Sequence, residues 1–589
     1  MEVPYGRWWK SMVPRLIILY FFICYKVSGL RSQHNTKKGD KKGEVEYMKK
    51  QLFTSAICLF VYVLLNCLQV EACTSLLVTK GASEDGSVMI TYAADAEFLP
   101  YLEYTPAADH KPGDSLEITD WSGKVRGKVK QVPHTYAVVD LMNEHQLVIG
   151  ETTFDGRKEL GNPDGLLEYW DMMQLALERA KTAREAIAVM TELVADYGYR
   201  STGESFSIAD TKEAWILEMI GPDSGGHGTE WVALRVPDGY ISCHANKARI
   251  GEFPLNDPEN CIYSSNVISF AKEKGYYDPK SGKPFRFCDA YCPATPKNQR
   301  YADTRVWSIF RRAAPSQNFS PDYHRAVERA EPYPLWIKPD KKLSLADVFA
   351  LMRDHYEGTP YDMTKGIDAG PYGSPNRWRP ITWTVDSVEY AWERPISTQQ
   401  TAFSFVSQSR SWLPDPVGGV YWYGVDDSYT TCYLPLYCGI DTVPKSFTVG
   451  SLDKFSWESA WWVFNFVANY ANLKYSYMLS DIQAVQSDIE GTFLKLQPTV
   501  EKIAVDLSAS DLKLLTRYLT DYSVTHAELV VSRWRELGEY LITKYNDGYV
   551  KDEKGEPQEK GYPETWLREV LKSRPDQFRL PVKKEDTSK

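Results

Sequence analysis

Cys73 directly follows Val70-Glu71-Ala72, which has the small-residue form of a signal-peptide cleavage site. Cleavage after Ala72 would give Cys73 a free α-amine beside its thiol. The unperturbed pKa values of these groups, about 8.5 for the thiol and about 8 for the amine, are close to neutrality. The amine also lies within reach of its own thiol, directly or through one water. Cys73 is therefore a candidate nucleophile for amide-bond hydrolysis, with its own amine as the base.

The cysteine count agrees with a free thiol at this position. Cleavage after Ala72 removes Cys24, Cys58 and Cys67 from the ten cysteines and leaves seven. In an exported protein six of these can pair, and one thiol is left over. We expect the pairs Cys288/Cys292, Cys432/Cys438 and Cys243/Cys261, although sequence alone does not fix the connectivity. Cys73 is then the unpaired residue.

Other interpretations of these cysteines remain open. Cys73 could carry a lipid anchor, although Glu71 is a poor residue for a lipidation signal, or it could be a disulfide partner. The run from Cys288 to Cys292 could hold a metal, but it lacks a second Cys/His pair at suitable spacing. We expect no metal and no cofactor.

The first 72 residues contain two apolar stretches. The stretch from about Val13 to Cys24 is short for a membrane span. The second begins at Met48, and it has a charged start at Lys49-Lys50 and an apolar stretch from Leu52 to Leu68. This is the form of a complete signal peptide. It favours Met48 as the start of translation, with residues 1–47 as an upstream extension; a long signal-anchor is the alternative.

The net charge of the chain after residue 72 limits the kinds of molecule expected to bind it. The first 72 residues hold 11 Lys/Arg and 5 Asp/Glu, so the remaining chain has 57 basic and 73 acidic residues, a net charge of −16. An acidic surface repels phosphate backbones and anionic lipids, so nucleic acid is not expected as a partner. A hydrophobic content of 43% with 25% charged residues is typical of a globular protein.

The elements that position Cys73 can be predicted from alternation and turn signals. Short apolar runs around turn residues predict strands at 75–79, 87–92, 136–142, 147–151, 205–209, 214–219, 231–236 and 240–245. The first two form a hairpin that would hold Cys73 in a fixed place. Pro237-Asp238-Gly239 is a strong turn signal between the last two and predicts that they form a hairpin.

Helical spacing of apolar residues predicts a helix over about 166–197 and further helices within 457–500 and 509–545. The segment 250–440 is rich in loops, and the tail 583–589 is expected to be disordered. The predicted organisation is an extension at 1–47, a signal peptide at 48–72, a catalytic core at 73–450, a helical part of the same unit at 451–550, and a linker and tail at 551–589.

An ordered series of short motifs resembles the C69 dipeptidase family of N-terminal nucleophile hydrolases. The match extends roughly from Cys73 to Gln497, and the order of the motifs is more specific than any one of them. The motifs are Cys73-Thr74-Ser75, Asp85-Gly86-Ser87, Asn143-Glu144-His145, Gly150-Glu151-Thr152-Thr153-Phe154, Ile208-Ala209-Asp210, Ala214-Trp215, His244-Ala245-Asn246, Arg249-Ile250, Gly358-Thr359-Pro360-Tyr361-Asp362, Gly370-Pro371-Tyr372-Gly373, Trp412-Leu413-Pro414-Asp415 and Gly418-Gly419-Val420-Tyr421-Trp422.

The resemblance implies an α+β fold, a four-layer αββα sandwich with a helical C-terminal region, and metal-free hydrolysis by an N-terminal cysteine. In the wider superfamily, which includes penicillin V acylase and bile salt hydrolase, Asp95 matches the residue that contacts the α-amine and Asn246 matches an oxyanion donor. Arg305 matches a second active-site arginine. Thr153 stands where the acylases have an asparagine, and Tyr92 stands where they have an arginine. His244 is expected to be a packed neighbour, because an N-terminal amine makes a histidine base unnecessary.

The resulting hypothesis is a secreted or periplasmic cysteine dipeptidase, matured by signal peptidase, that cleaves dipeptides or small amides through a Cys73 thioester. A homo-oligomer is left open. Two alternatives remain: an N-acyl amide hydrolase of the acylase type, and a lipid-anchored surface protein whose aromatic-rich middle binds a glycan or peptide.

Overall fold

The computed structural model describes residues 73–222 and 225–581. The predicted extension at 1–47, the signal peptide at 48–72 and the tail at 583–589 lie outside the described residues. The described residues divide into a small unit, Lys111–Val132, and a large unit made of 73–110 and 133–581. No helix within the described ranges combines the length and apolar character needed to cross a membrane.

The strands are numbered along the chain. They are β1 Ser75–Val78, β2 Met89–Asp95, β3 Tyr104–Thr105, β4 Ala108–Asp109, β5 Ser115–Thr119, β6 Val125–Lys130, β7 His134–Thr135, β8 Val138–Val139, β9 Met142–Asn143, β10 Val148–Phe154, β11 Gly203–Ala209, β12 Ala214–Ile220, β13 Glu230–Arg235, β14 Ile241–His244, β15 Cys261–Tyr263, β16 Trp336–Ile337, β17 Thr382–Val385, β18 Val388–Ala391, β19 Thr401–Gln408, β20 Val420–Val425, β21 Leu434–Tyr437, β22 Val550–Lys551 and β23 Pro557–Gln558.

The α-helices are numbered in the same way. They are α1 Tyr169–Arg179, α2 Ala183–Tyr197, α3 Val267–Glu273, α4 Phe287–Tyr291, α5 Pro296–Asn298, α6 Thr304–Ala313, α7 Leu345–Met352, α8 Asp415–Gly418, α9 Ala460–Ala471, α10 Tyr475–Ser510, α11 Leu512–Lys544 and α12 Glu564–Ser573. One π-helical turn, Gln299–Asp303, leads directly into α6.

Two sheets form the framework of the large unit. One has seven strands in the order β16-β14-β1-β2-β19-β20-β21, and the other has eight in the order β15-β13-β12-β11-β10-β9-β8-β3. Strands β1 and β2 contact β10 and β11 of the other sheet. Helices α1 and α2 contact the eight-stranded sheet, and α9, α10 and α11 contact the seven-stranded one. The mixed α+β class is therefore confirmed.

The central strands are buried along their whole length. Every residue of β1, β2, β11 and β12 is buried, and the sequences of β1, β2 and β12 are accordingly mostly apolar. Gly150 on β10 permits a close approach between the sheets, since a Cβ there would lie 3.1 Å from the Cβ of Tyr92. The two sheets thus meet directly beside the predicted site.

Two predictions about local structure are corrected. The segment expected to form one helix over 166–197 forms two, α1 and α2. Thr182 is the N-cap of α2, and its capping box with Glu185 starts this second helix. The turn at Pro237-Asp238-Gly239 forms, with Gly239 at a φ of +84°. It joins β13 and β14, however, which belong to different sheets, so it carries the chain across the core rather than closing a hairpin.

The C-terminal helices follow the predicted pattern, with breaks at 472–474 and at Asp511. The Asp511 side chain accepts hydrogen bonds from the backbone N–H groups of Lys513 and Leu514, and it thereby starts α11 after α10. Trp534 of α11 is fully buried and stacks on Phe464 of α9 with ring centroids 4.8 Å apart. The segment predicted as a linker contains the β22–β23 hairpin, and α12 follows it.

The small unit, Lys111–Val132, contains the antiparallel hairpin of β5 and β6. Its turn is organised by Asp120, whose carboxylate accepts the backbone N–H groups of Ser122 and Lys124. Gly123 supplies the positive φ of +78° that this turn requires.

Candidate active site

Cys73 lies at the start of β1, between two neighbouring strands of the seven-stranded sheet. Ser75 pairs with His244 of β14, and Thr74 forms an antiparallel bridge with Ala93 of β2. Extending the β14 register by two residues places Cys73 opposite Asn246, and extending the β2 register by one residue places it opposite Ala94. Asp95 comes one residue further along β2, on the side of the Cys73 nitrogen. Strand pairing thus brings together three residues that are far apart in the sequence.

The Cys73 thiol is buried against two side chains from different sheets. Its Sγ lies 3.8 Å from the Tyr92 hydroxyl and 3.7 Å from Glu151 Oε1. The Tyr92 hydroxyl donates a short hydrogen bond to the same Glu151 oxygen. Burial raises the pKa of Tyr92 well above its usual value, and the charges of Cys73 and Glu151 raise it further. Tyr92 therefore remains a protonated donor beside the thiol.

Asp95 is fully buried and held by two partners that the motifs did not indicate. Arg394 Nη2 donates to Asp95 Oδ2 at 2.5 Å, and Thr401 Oγ1 donates to Asp95 Oδ1 at 2.5 Å. Burial raises the pKa of Asp95, while the charge of Arg394 and the Thr401 hydrogen bond oppose that rise. Arg394 lies 299 positions from Asp95. The neighbouring residues, Glu393 and Pro395, do not indicate this pairing in the sequence.

Arg305 of α6 joins the start of β1 to the end of β14. Its Nη1 donates to the Cys73 carbonyl at 2.6 Å and to Thr74 Oγ1 at 2.9 Å. Its Nη2 donates to the Ala245 carbonyl at 3.2 Å and to Asn246 Oδ1 at 2.9 Å. The fork of the guanidinium group suits such contacts with two chain segments at once. Arg305 thus holds the backbone of Cys73 rather than its thiol.

Asn246 lies in the left-handed region, with a φ of +59°, which turns its side chain at the end of β14. Because Arg305 donates to Oδ1, the orientation of the amide is fixed, and Nδ2 donates to the Thr153 carbonyl at 2.7 Å. Thr153 Oγ1 is buried and has no hydrogen-bond partner among the described residues. In this structure Thr153 thus contacts Asn246 through its main chain.

His244 connects the two sheets. Its Nδ1 lies 2.7 Å from Thr152 Oγ1, and its Nε2 lies 2.7 Å from Ser207 Oγ. Burial lowers the pKa of His244 to about 3, so the ring is neutral at physiological pH. These contacts agree with the expectation of a packed neighbour rather than a base.

The low pKa of His244 predicts an acid-sensitive fold. An unfolded histidine takes up a proton near pH 6.5, whereas the folded ring resists protonation until about pH 3. The unfolded state therefore binds more protons between these values, and stability falls as the pH falls. Because of this histidine, the free energy of unfolding should be about 2 kcal/mol lower at pH 5 than at neutral pH.

The measurement compares denaturant unfolding of the wild type and His244→Gln at pH 7.5 and at pH 5. The substitution lowers stability at both pH values because it disturbs the contacts with Thr152 and Ser207. The difference between the two proteins should shrink by about 2 kcal/mol at pH 5. A difference that stays constant would contradict a neutral, buried His244.

None of the seven cysteines that the structure describes forms a disulfide, so the prediction of three disulfides is wrong. Cys432 and Cys438 flank the extended strand β21, and six residues of extended chain span about 20 Å, too far for a disulfide. Cys243 and Cys261 lie on strands of different sheets. Cysteine arithmetic therefore does not distinguish Cys73. Among the described residues, no group of three or more His, Cys, Asp or Glu is arranged to hold a metal ion.

Four of the five residues predicted for the site are joined by hydrogen bonds, and the strand register places the fifth, Asp95, nearby. Arg305 and Asn246 bond to each other, Arg305 reaches Cys73, Asn246 reaches Thr153, and Asp95 is positioned beside Cys73 by the strand register. The larger omissions were Arg394 and the pairing of Glu151 with Tyr92. The signal for Glu151 was its place in the Gly150–Phe154 motif, two residues before Thr153.

This chain is similar in sequence to several proteins named dipeptidase. A probable dipeptidase of Salmonella dublin is 28% identical over 404 residues, which cover 65% of this chain and 84% of that protein. A probable dipeptidase A of Streptococcus pyogenes serotype M3 is 26% identical over 477 residues, which cover 77% of this chain and 94% of that protein. A dipeptidase of Bifidobacterium longum is 26% identical over 413 residues, which cover 63% of this chain and 72% of that protein. The profile of Peptidase family C69 matches residues 72–488, well over half of the sequence. The resemblance predicted from the motifs is confirmed, and the chain belongs to peptidase family C69.

Proposed function

We propose that this protein is a secreted dipeptidase whose nucleophile is Cys73, freed as the N-terminal residue by signal peptidase. The observation that carries the proposal is the position of the Cys73 thiol, buried at the junction of the two sheets against Tyr92 and Glu151. The similarity to proteins named dipeptidase supports a dipeptide as the substrate. The packing of two sheets with helices on each supports the four-layer αββα arrangement.

The reaction begins when the Cys73 α-amine takes the thiol proton, directly or through one water. The thiolate sulfur attacks the scissile carbonyl carbon, and the carbonyl electrons move to oxygen. Asn246 Nδ2 and backbone N–H groups stabilise this oxyanion, each donor contributing roughly 3 kcal/mol to lowering the barrier. The carbon–nitrogen bond then breaks, and the α-ammonium gives its proton to the departing amine.

This first half leaves a thioester on Cys73. Water attacks the thioester carbon while the α-amine removes a proton from it, and the carbon–sulfur bond breaks. The thiol is restored, and the second amino acid is released. Asp95 positions the α-amine from the adjacent strand, and Arg305 fixes the Cys73 carbonyl so that amine and thiol keep one geometry.

The test is a comparison of two proteins that differ by one residue at the N-terminus. A protein beginning at Cys73 should release free amino acids from a panel of dipeptides. A protein that retains Ala72 has its Cys73 amine in a peptide bond, which cannot accept a proton. Because a positioned base contributes about 10²–10⁴-fold, the Ala72 form should lose at least a hundredfold in kcat/KM.

Mass spectrometry of the secreted protein gives the required control, because it reports the N-terminus directly. A free Cys73 supports the enzyme, whereas an acylated Cys73 supports the lipid-anchored alternative. Equal activity of the Cys73 and Ala72 forms would overturn the N-terminal mechanism. Faster hydrolysis of N-acyl amino acids than of any dipeptide would favour the acylase alternative.

A further inference from the structure

The Glu151 carboxylate has only one of its two oxygens satisfied. Oε1 accepts the Tyr92 hydroxyl and faces the Cys73 thiol. Oε2 is buried and has no hydrogen-bond partner among the described residues. Glu151 as a whole is only 1% exposed to solvent. A buried carboxylate oxygen without a partner carries a large desolvation cost, which a ligand that donates hydrogen bonds would remove.

The surroundings of Glu151 favour a cation as that ligand. No ion pair of Glu151 occurs within residues 73–222 and 225–581. Glu204, a second buried carboxylate, lies on the adjacent strand β11 and pairs in register with Thr153. The charges of Glu204 and Glu151 both raise the pKa of the buried Tyr199, so their negative potentials reach the same hydroxyl. The nearby cation Arg305 directs its donors to carbonyl, hydroxyl and amide oxygens instead.

The distance from Glu151 to the nucleophile suits one particular cation. In an α-amino acyl group the nitrogen lies about 2.5 Å from the carbonyl carbon. A nucleophile attacks that carbon from about 3–3.5 Å, and an ammonium nitrogen lies about 2.9 Å from a carboxylate oxygen. A carboxylate up to roughly 8 Å from the sulfur can therefore hold the α-ammonium during attack. Glu151 Oε1 lies 3.7 Å from Cys73 Sγ, well inside this reach.

We propose that Glu151 binds the free α-ammonium of the residue that supplies the scissile carbonyl, with Tyr92 holding the carboxylate in place. This inference rests on the proposed function and assigns its selectivity to one side chain. Glu151 would make the enzyme specific for unblocked amino termini. It would also fix the cleavage point, because only the first carbonyl of the substrate then lies within reach of the sulfur.

The kinetic test uses the best dipeptide of the panel and its N-acetyl derivative. Wild-type protein should prefer the free dipeptide by at least a hundredfold in kcat/KM. Glu151→Gln keeps the side-chain shape but removes the charge. It should lose most of that preference by slowing hydrolysis of the free dipeptide alone. Equal losses on both substrates would overturn the proposal, because they would show that Glu151 acts on the nucleophile.

Two variants serve as controls. Glu230→Gln changes another buried carboxylate of the same sheet, on β13 and bonded to Ser264 and Asn266, and should leave the preference unchanged. Tyr92→Phe removes the hydroxyl that holds the carboxylate but keeps the Glu151 charge, so it should lower the preference for a free amine less than Glu151→Gln does. Loss of the preference in Glu230→Gln would contradict the assignment to Glu151.

A binding measurement decides the matter even if Glu151→Gln does not fold. By calorimetry, Cys73→Ala should bind the free dipeptide at least tenfold more tightly than its N-acetyl derivative. Equal binding, or the reverse order, would overturn the role of Glu151. If wild-type protein hydrolyses dipeptides but shows no such preference, the inference fails and the proposed function stands. If it hydrolyses no dipeptide, the proposed function fails and the binding order still tests Glu151.

Discussion

Cys73→Ala should lose dipeptide hydrolysis by at least about a thousandfold in kcat, because the proposed acyl intermediate forms on the Cys73 sulfur. The change removes a single sulfur atom from the junction of the two sheets. Every hydrogen bond that Arg305 makes to the backbone of Cys73 is kept, so the fold should persist. The measurement is amino-acid release from the dipeptide panel, alongside thermal unfolding of the same preparations.

Cys288→Ser is the matched control. Cys288 is a half-buried thiol on α4, and its Sγ contacts the adjacent Asp289 instead of the residues around Cys73. The variant should hydrolyse dipeptides at close to the wild-type rate. Full activity in Cys73→Ala, or loss of activity in Cys288→Ser but not in Cys73→Ala, would remove Cys73 as the nucleophile.

Asp95→Ala should produce the largest loss of stability among the site variants. The substitution leaves the guanidinium of Arg394 buried without its carboxylate, and breaking one side of a buried ion pair costs about 3–5 kcal/mol. It also leaves the Thr401 hydroxyl without its acceptor. Denaturant unfolding, read as the change in midpoint and slope, measures the effect. Asp521→Asn, which alters an exposed ion pair with Arg517, should change the midpoint little.

A double variant separates the structural part of Asp95 from its proposed part in catalysis. Asp95→Asn with Arg394→Met removes both charges together, and such replacements of buried pairs are often neutral or stabilising. The double variant should recover most of the lost stability but little of the activity, since its amide cannot orient an ammonium as a carboxylate does. Recovery of activity together with stability would show that Asp95 has a structural role only.

The sequence predicted local features of the fold better than long-range pairings. Most strand positions up to residue 245 followed from alternating or continuous apolar runs, but the strand predicted at 136–142 is two short strands, β8 and β9. The hairpin of β1 and β2 follows from its turn residues. Pro237-Asp238-Gly239 predicted a turn correctly, yet turn residues carry no information about which sheet the next strand joins. The helix at 166–197 was predicted too long because its apolar spacing continues across the break, whereas the cap at Thr182 ends it.

For the site as well, residues within short motifs could be predicted from the sequence, whereas long-range partners could not. Cys73 and Asn246 were predicted because each belongs to a short motif near a strand end, and Asp95 was predicted from its match to the wider superfamily. Arg394 was not found, since its pairing with Asp95 depends on the tertiary fold alone. The disulfide prediction failed for a related reason: close spacing in sequence does not imply closeness in space when the intervening residues form a strand, as between Cys432 and Cys438.

The place of β1 between β14 and β2 has a consequence for the order of folding. One partner of β1 is distant in the chain, since Ser75 pairs with His244, and its neighbouring partner β2 pairs in turn with the distant β19 at residues 401–408. Contacts with such long sequence separation form slowly, because a large loop must close before they do. A chain emerging during synthesis therefore carries the Cys73 thiol long before it carries Arg305, Arg394 or β19. Assembly of the surroundings of Cys73, the proposed nucleophile, is thus tied to near completion of the domain, and a partial chain holds only an ordinary cysteine.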